Sequence, residues 1–89
     1  MNFMEIEKEA QKEIDRIDKI MENLELIDPK GKELHEVLQS YYTDAKTFFH
    51  KGQFLQALET AFIVWAYADA GLHLKVFKVP SELNKIFTV

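Results

Sequence analysis

The chain has 89 residues, 15 of them acidic against 11 basic, a net charge of −4 and no cysteine. That length fits one helical domain, residues 1–89, with room for one modest core. The acidic balance and the single arginine, Arg16, argue against nucleic-acid binding, which favours a basic excess and Arg forks. The missing cysteine excludes disulfides, thiolate metal sites and cysteine nucleophiles within the chain.

Met1 to Glu5 turns acidic at once and carries no apolar signal core. The longest unbroken apolar run, Ala61 to Ala68, falls far short of the roughly 20 residues that span a bilayer. A cytoplasmic protein is expected, with no membrane partner. Stability should be about 4–13 kcal/mol at the usual per-residue figures. So small a domain gains from self-association or a protein partner.

Helix one is expected over about residues 3–27. Its apolar residues, Phe3, Ile6, Ala10, Ile14, Ile17, Ile20, Met21, Leu24 and Ile27, recur at gaps of three and four and draw one stripe. Asp28-Pro29 is a start signal: Asp28 can cap free amides, and Pro29 suits a first helical position. Helix two then runs to about Lys51, with Leu34, Val37, Leu38, Tyr41, Ala45, Phe48 and Phe49 inward. Gly52 is the natural left-handed stop.

Helix three is expected over about 54–70, ending at Gly71. Its core stripe is Phe54, Ala57, Leu58, Ala61, Trp65 and Ala68, widened by Phe62 and Val64. Ile63 and Tyr67 lie almost opposite. A helix apolar all round is surrounded by protein, so helix three should be central or meet a partner. The tail, residues 72–89, reads as an extended piece followed by a short helical turn from Pro80 to Lys85. The fold class is all-α: an antiparallel three-helix bundle with a C-terminal tail that is part extended and part short helix.

The hairpin carries the pattern Tyr42-x-Asp44-Ala45, Phe49-x-x-Gly52, Phe54-x-x-Ala57-x-Glu59 and Asp69-Ala70-Gly71. Over about residues 41–79 this resembles an archaeal family, domain of unknown function 357 (DUF357). The resemblance implies a small three-helix bundle and brings no activity, catalytic residue or cofactor with it. The family pattern favours Gly near Lys75, and this chain departs there. The hairpin is also similar, more weakly, to a single tetratricopeptide unit, where Gly reverses the chain, an aromatic plugs the turn and Ala lets the helices approach. A likeness to ribonuclease-type helical domains of the HEPN class fails, because no His follows Arg16 at the required spacing.

The polar residues at the edge of the core are His35, Asp44 and Asp69. Read as function, their carboxylates serve metal binding or proton transfer; read as structure, they are hydrogen-bonded groups that fix helix register. Counted from Gly52, Asp44 lies level with Thr60 and Asp69 with His35. The two Asp then stand more than about 10 Å apart along the axis and form no dyad. A His35–Asp69 pair would be the kernel of a general base, but no Ser or Cys nucleophile stands beside it. Glu-x-x-His is absent, since Lys32, Thr47 and Ala70 precede the three His by three residues. His-Glu-x-x-His fails at Gln39, and no glycine-rich phosphate loop occurs.

No catalytic residue, cofactor or metal ligand is assigned. The aromatic residues at helical spacing read as core, apart from Ile63 and Tyr67, one turn apart on the back of helix three. Those two are the interface candidates. The expected function is a non-enzymatic protein-interaction module or homo-oligomer. The alternative is a small ligand- or metal-binding bundle, or an enzyme, using Asp44, Glu59, Asp69 and His35.

Overall fold

The structure, a computed structural model, describes residues 2–87. The Phe3 side chain of the helix-one stripe and the last two residues of the expected tail lie outside what is described. Three long helices pack together: α1 (Phe3–Asn23), α2 (Lys32–His50) and α3 (Phe54–His73). Two short strands, β1 (Glu25–Leu26) and β2 (Phe77–Lys78), form an antiparallel ladder, and 3-10 turns cover Pro29–Gly31 and Ser81–Ile86. The chain is all-α apart from that ladder.

A capping box starts α1. The Asn2 side chain accepts from the Glu5 amide at 3.0 Å, and the Glu5 carboxylate accepts from the Asn2 amide at 3.3 Å. The helix stops at Asn23, four residues before the periodicity alone predicts. Leu24 turns extended, and the segment after it gives its backbone to the tail: Leu26 lies opposite Phe77, and the Ile27 amide donates to the Val76 carbonyl at 2.8 Å. Asp28 is extended, as a residue before proline prefers, and its side chain accepts from the Lys30 amide. Pro29 opens a 3-10 turn, and the α-helix begins only at Lys32.

Gly52, at φ 76°, closes α2 with the paired bonds of a Schellman turn, Gly52 amide to Phe49 and Gln53 amide to Phe48. Gly71 does not close α3, contrary to the sequence reading. It sits buried inside a helix that continues to His73. The reversal falls at Lys75, whose φ is 61°, with bonds from the Lys75 amide to Leu72 and from the Val76 amide to Gly71. This is the same turn as at Gly52, made by a residue with a Cβ.

α3 packs extensively against both α2 and α1, which contact each other less. Its buried face is Ala57, Thr60, Ala61, Val64, Ala68 and Gly71, small residues that let both neighbours approach. α1 contributes Ala10, Ile14, Ile17 and Ile20, and α2 contributes Leu38 and Ala45. Four further core residues, Val76, Phe77, Val79 and Leu83, come from the tail, so it is part of the core and not a cover laid over it. Three residues of the expected apolar stripes are exposed instead: Ile27, Val37 and Phe62. Phe62 stands two residues from Val64, about 200° around the helix, so both cannot face the same core.

Candidate functional site

The residues singled out in the sequence do not converge. Asp69 pairs with His73, one turn along its own helix, at 3.4 Å. His35 instead lays its ring edge-on to Phe77, with centroids 5.6 Å apart. The expected level placement of His35 and Asp69 therefore yields no pair. Asp44 is exposed on α2, not at the edge of the core, beside a shallow open depression shared with Glu36, Gln39, Ser40 and Thr43. One helix alone lines that depression, so it encloses nothing. Glu59 is exposed on α3. Among the described residues no group of three or more His, Asp or Glu side chains could hold a metal ion.

Two polar clusters that the sequence reading missed tie the helices together. Glu13, only 5% exposed, accepts from the Trp65 indole nitrogen at 3.1 Å and from Arg16 at 2.7 Å. Both carboxylate oxygens are thus occupied, and a buried charge is matched by a cation and a donor. The second cluster joins α1 to α2. The Tyr42 hydroxyl donates to Asp18 at 2.5 Å, while Lys46 lies 3.1 Å from the same carboxylate and over the Tyr42 ring. Burial and then the Asp18 bond push the Tyr42 phenol above its ordinary value; the Asp18 bond does the same to Lys46. Among the described residues no buried side-chain polar atom is left without a partner. The signal of the two clusters in sequence is a helical spacing only, Glu13–Arg16 and Tyr42–Lys46, which surface pairs share.

The interface candidates separate. Tyr67 is half-buried, its ring edge-on to Tyr41 at 5.4 Å, and it lines a shallow groove with Lys30, Glu33, Leu34 and Val37. It belongs to the α2–α3 contact. Ile63, 37% exposed, stands at the border of the free face of α3. The middle of that face holds Leu55 at 53% and Phe62 at 54%, two turns apart, with Ala66 one turn beyond Phe62. Trp65 turns to the other flank, where it meets Glu13 and stacks edge-on to Phe87 at 5.2 Å. α1 and α2 cover the two flanks of α3 and leave this apolar strip open. No helix among the described residues is long and apolar enough to cross a membrane.

A small helical bundle with a saturated polar interior and an open apolar strip defines a class and no chemistry. The chain belongs to the family described as Protein of unknown function (DUF357), whose model matches residues 4–77. The match takes in α1 as well as the hairpin and extends to the Phe77 that fills the space beside Gly71. No curated protein and no solved structure matches the chain.

Proposed function

We propose that this chain is a cytoplasmic, non-enzymatic interaction module that binds another protein through the free face of α3. The observation that supports this reading is the exposure of Leu55, Phe62 and Ile63 on one strip of a helix already covered on both flanks. An exposed Phe flanked by aliphatic residues is the kind of patch that marks an interface. Glu59 on the same face gives the strip a polar neighbour that fixes the orientation of whatever docks. Tyr67 contributes from beneath, by holding α2 against α3 through Tyr41.

The test compares the tagged wild type with Phe62→Glu and Leu55→Glu, using affinity capture from host lysate and mass spectrometry. The circular dichroism of each variant is recorded alongside. A protein recovered at equal stoichiometry by the wild type, and lost with either variant at unchanged helicity, supports the reading. Recovery of the same proteins by all three forms refutes it. A substitution at Tyr67 does not test this reading, since it breaks a packed contact and lowers stability as well as any binding.

A further inference from the structure

We infer that the tail from Val76 onward exchanges between two copies of this chain, each copy seating its Val76 and Phe77 in the other. The receiving site is built for that segment. A Cβ on Gly31 would lie 2.6 Å from the Val76 Cβ, and a Cβ on Gly71 would lie 1.9 Å from the Phe77 ring. Two notches therefore accept two consecutive side chains that point to opposite faces of an extended strand. Between them β1 offers its backbone, pairing Glu25 with Lys78 and Leu26 with Phe77, while Ile27 donates to Val76. Strand pairing plus side-chain notches is how extended peptides are recognised in general. Here the peptide is the chain's own.

The joint between site and peptide is Leu74-Lys75, and it is strained. Lys75 adopts the left-handed conformation at φ 61°, which a residue with a Cβ resists. Lys is also a good helix former, and no proline or glycine stands between Lys75 and Val79. The competing arrangement carries α3 straight through Lys75 and leaves the chain extended from Val76 onward, so that the tail points away from its own body. Ordinary helical bonds then replace the two bonds of the turn at the joint. Val76 and Phe77 do leave their notches, and a second copy restores them. Mutual exchange remakes every tail contact of the closed chain while releasing two strained joints.

Sedimentation equilibrium over a wide concentration range tests this on the full chain. The wild type should show a monomer–dimer equilibrium. Lys75→Gly, which removes the strain and disfavours the straight helix, should weaken the dimer roughly 25-fold, about fivefold from each of two joints. Phe77→Ala spoils the tail and Gly71→Val blocks the notch, each equally in the closed chain and in the exchanged dimer, so each alone should keep the wild-type monomer–dimer equilibrium; mixing them should favour the heterodimer, which pairs the intact tail with the intact notch. A wild type that stays monomeric at every concentration overturns the inference. So does a dimer indifferent to Lys75→Gly. If either mixing variant fails to fold, the Lys75→Gly comparison still decides. A dimer lost only with Phe62→Glu also overturns tail exchange, and it supports association through the α3 face instead. The two readings thus fail on different variants.

Discussion

Gly71→Ala should destabilise this chain, although glycine to alanine inside a helix ordinarily gains about 1 kcal/mol. The opposing effect is steric. The new methyl would sit 1.9 Å from Cδ2, 2.3 Å from Cε2 and 2.6 Å from Cγ of Phe77, a side chain only 2% exposed. No tilt clears three ring atoms at once, so the ring must withdraw. Overpacking of this kind costs about 3 kcal/mol at the upper end of its usual range. The net loss is then about 2 kcal/mol, a fall in Tm of roughly 8–16 °C for a domain of this size. Phe77→Ala alone should cost about 3–5 kcal/mol. In that background Gly71→Ala meets no ring and should stabilise by about 1 kcal/mol. Urea unfolding followed by circular dichroism on the four members of the cycle reads the coupling directly. A Gly71→Ala variant as stable as the wild type, or a cycle without a change of sign, refutes the placement of Phe77 against α3.

Lys75→Gly should raise the stability of the monomer by about 0.5–1 kcal/mol, because relief of the left-handed Cβ exceeds the extra freedom gained by the unfolded chain; chemical denaturation at low protein concentration checks it. Tyr42 and Lys46 both hold their protons more tightly when folded, so the stability they contribute is complete below their ordinary values of 10.0 and 10.5 and is lost as pH rises through the raised ones. Thermal melts between pH 9 and 12 should therefore show an alkaline decline that flattens in Asp18→Asn, which removes the negative charge on the acceptor both groups share. Trp65→Phe should cost about 1–3 kcal/mol by leaving one oxygen of buried Glu13 without its donor, and adding Glu13→Met should recover part of the loss. Equilibrium unfolding of the single and double variants measures both steps.

The helices were legible because their signals are local. A stripe at gaps of three and four, a proline start at Pro29 and a glycine stop at Gly52 each act within one or two turns. What escaped depends on residues far apart in the chain. α1 ends at Asn23 because Leu26 and Ile27 pair with Phe77 and Val76, about fifty residues away. Nothing near Asn23 announces that. Gly71 reads as a helix stop for the same reason: glycine ends helices, but it also admits a ring, and only the position of Phe77 tells the two apart. The departure at Lys75 was visible as a break from the family pattern, and the left-handed turn there explains why glycine suits that position.

The polar residues divide along the same line. Asp44 and Asp69 stand out in sequence because each interrupts an apolar stripe, yet one is exposed and the other pairs within its own helix. Glu13 and Asp18 lie off the apolar stripe of helix one in sequence, yet they carry contacts between helices. Amphipathic pattern assigns a charge to the solvent face by default, so it misses a carboxylate whose partner is an indole or a phenol on another helix. Ile63 and Tyr67 show the converse. Spacing placed them together on one free face, whereas the crossing of α2 claims Tyr67 and leaves the open strip to Leu55, Phe62 and Ile63. The rotation of α3 between its neighbours decides which apolar residues remain available for binding, and that angle is set by Trp65 bonding to Glu13 on one side and Tyr67 meeting Tyr41 on the other.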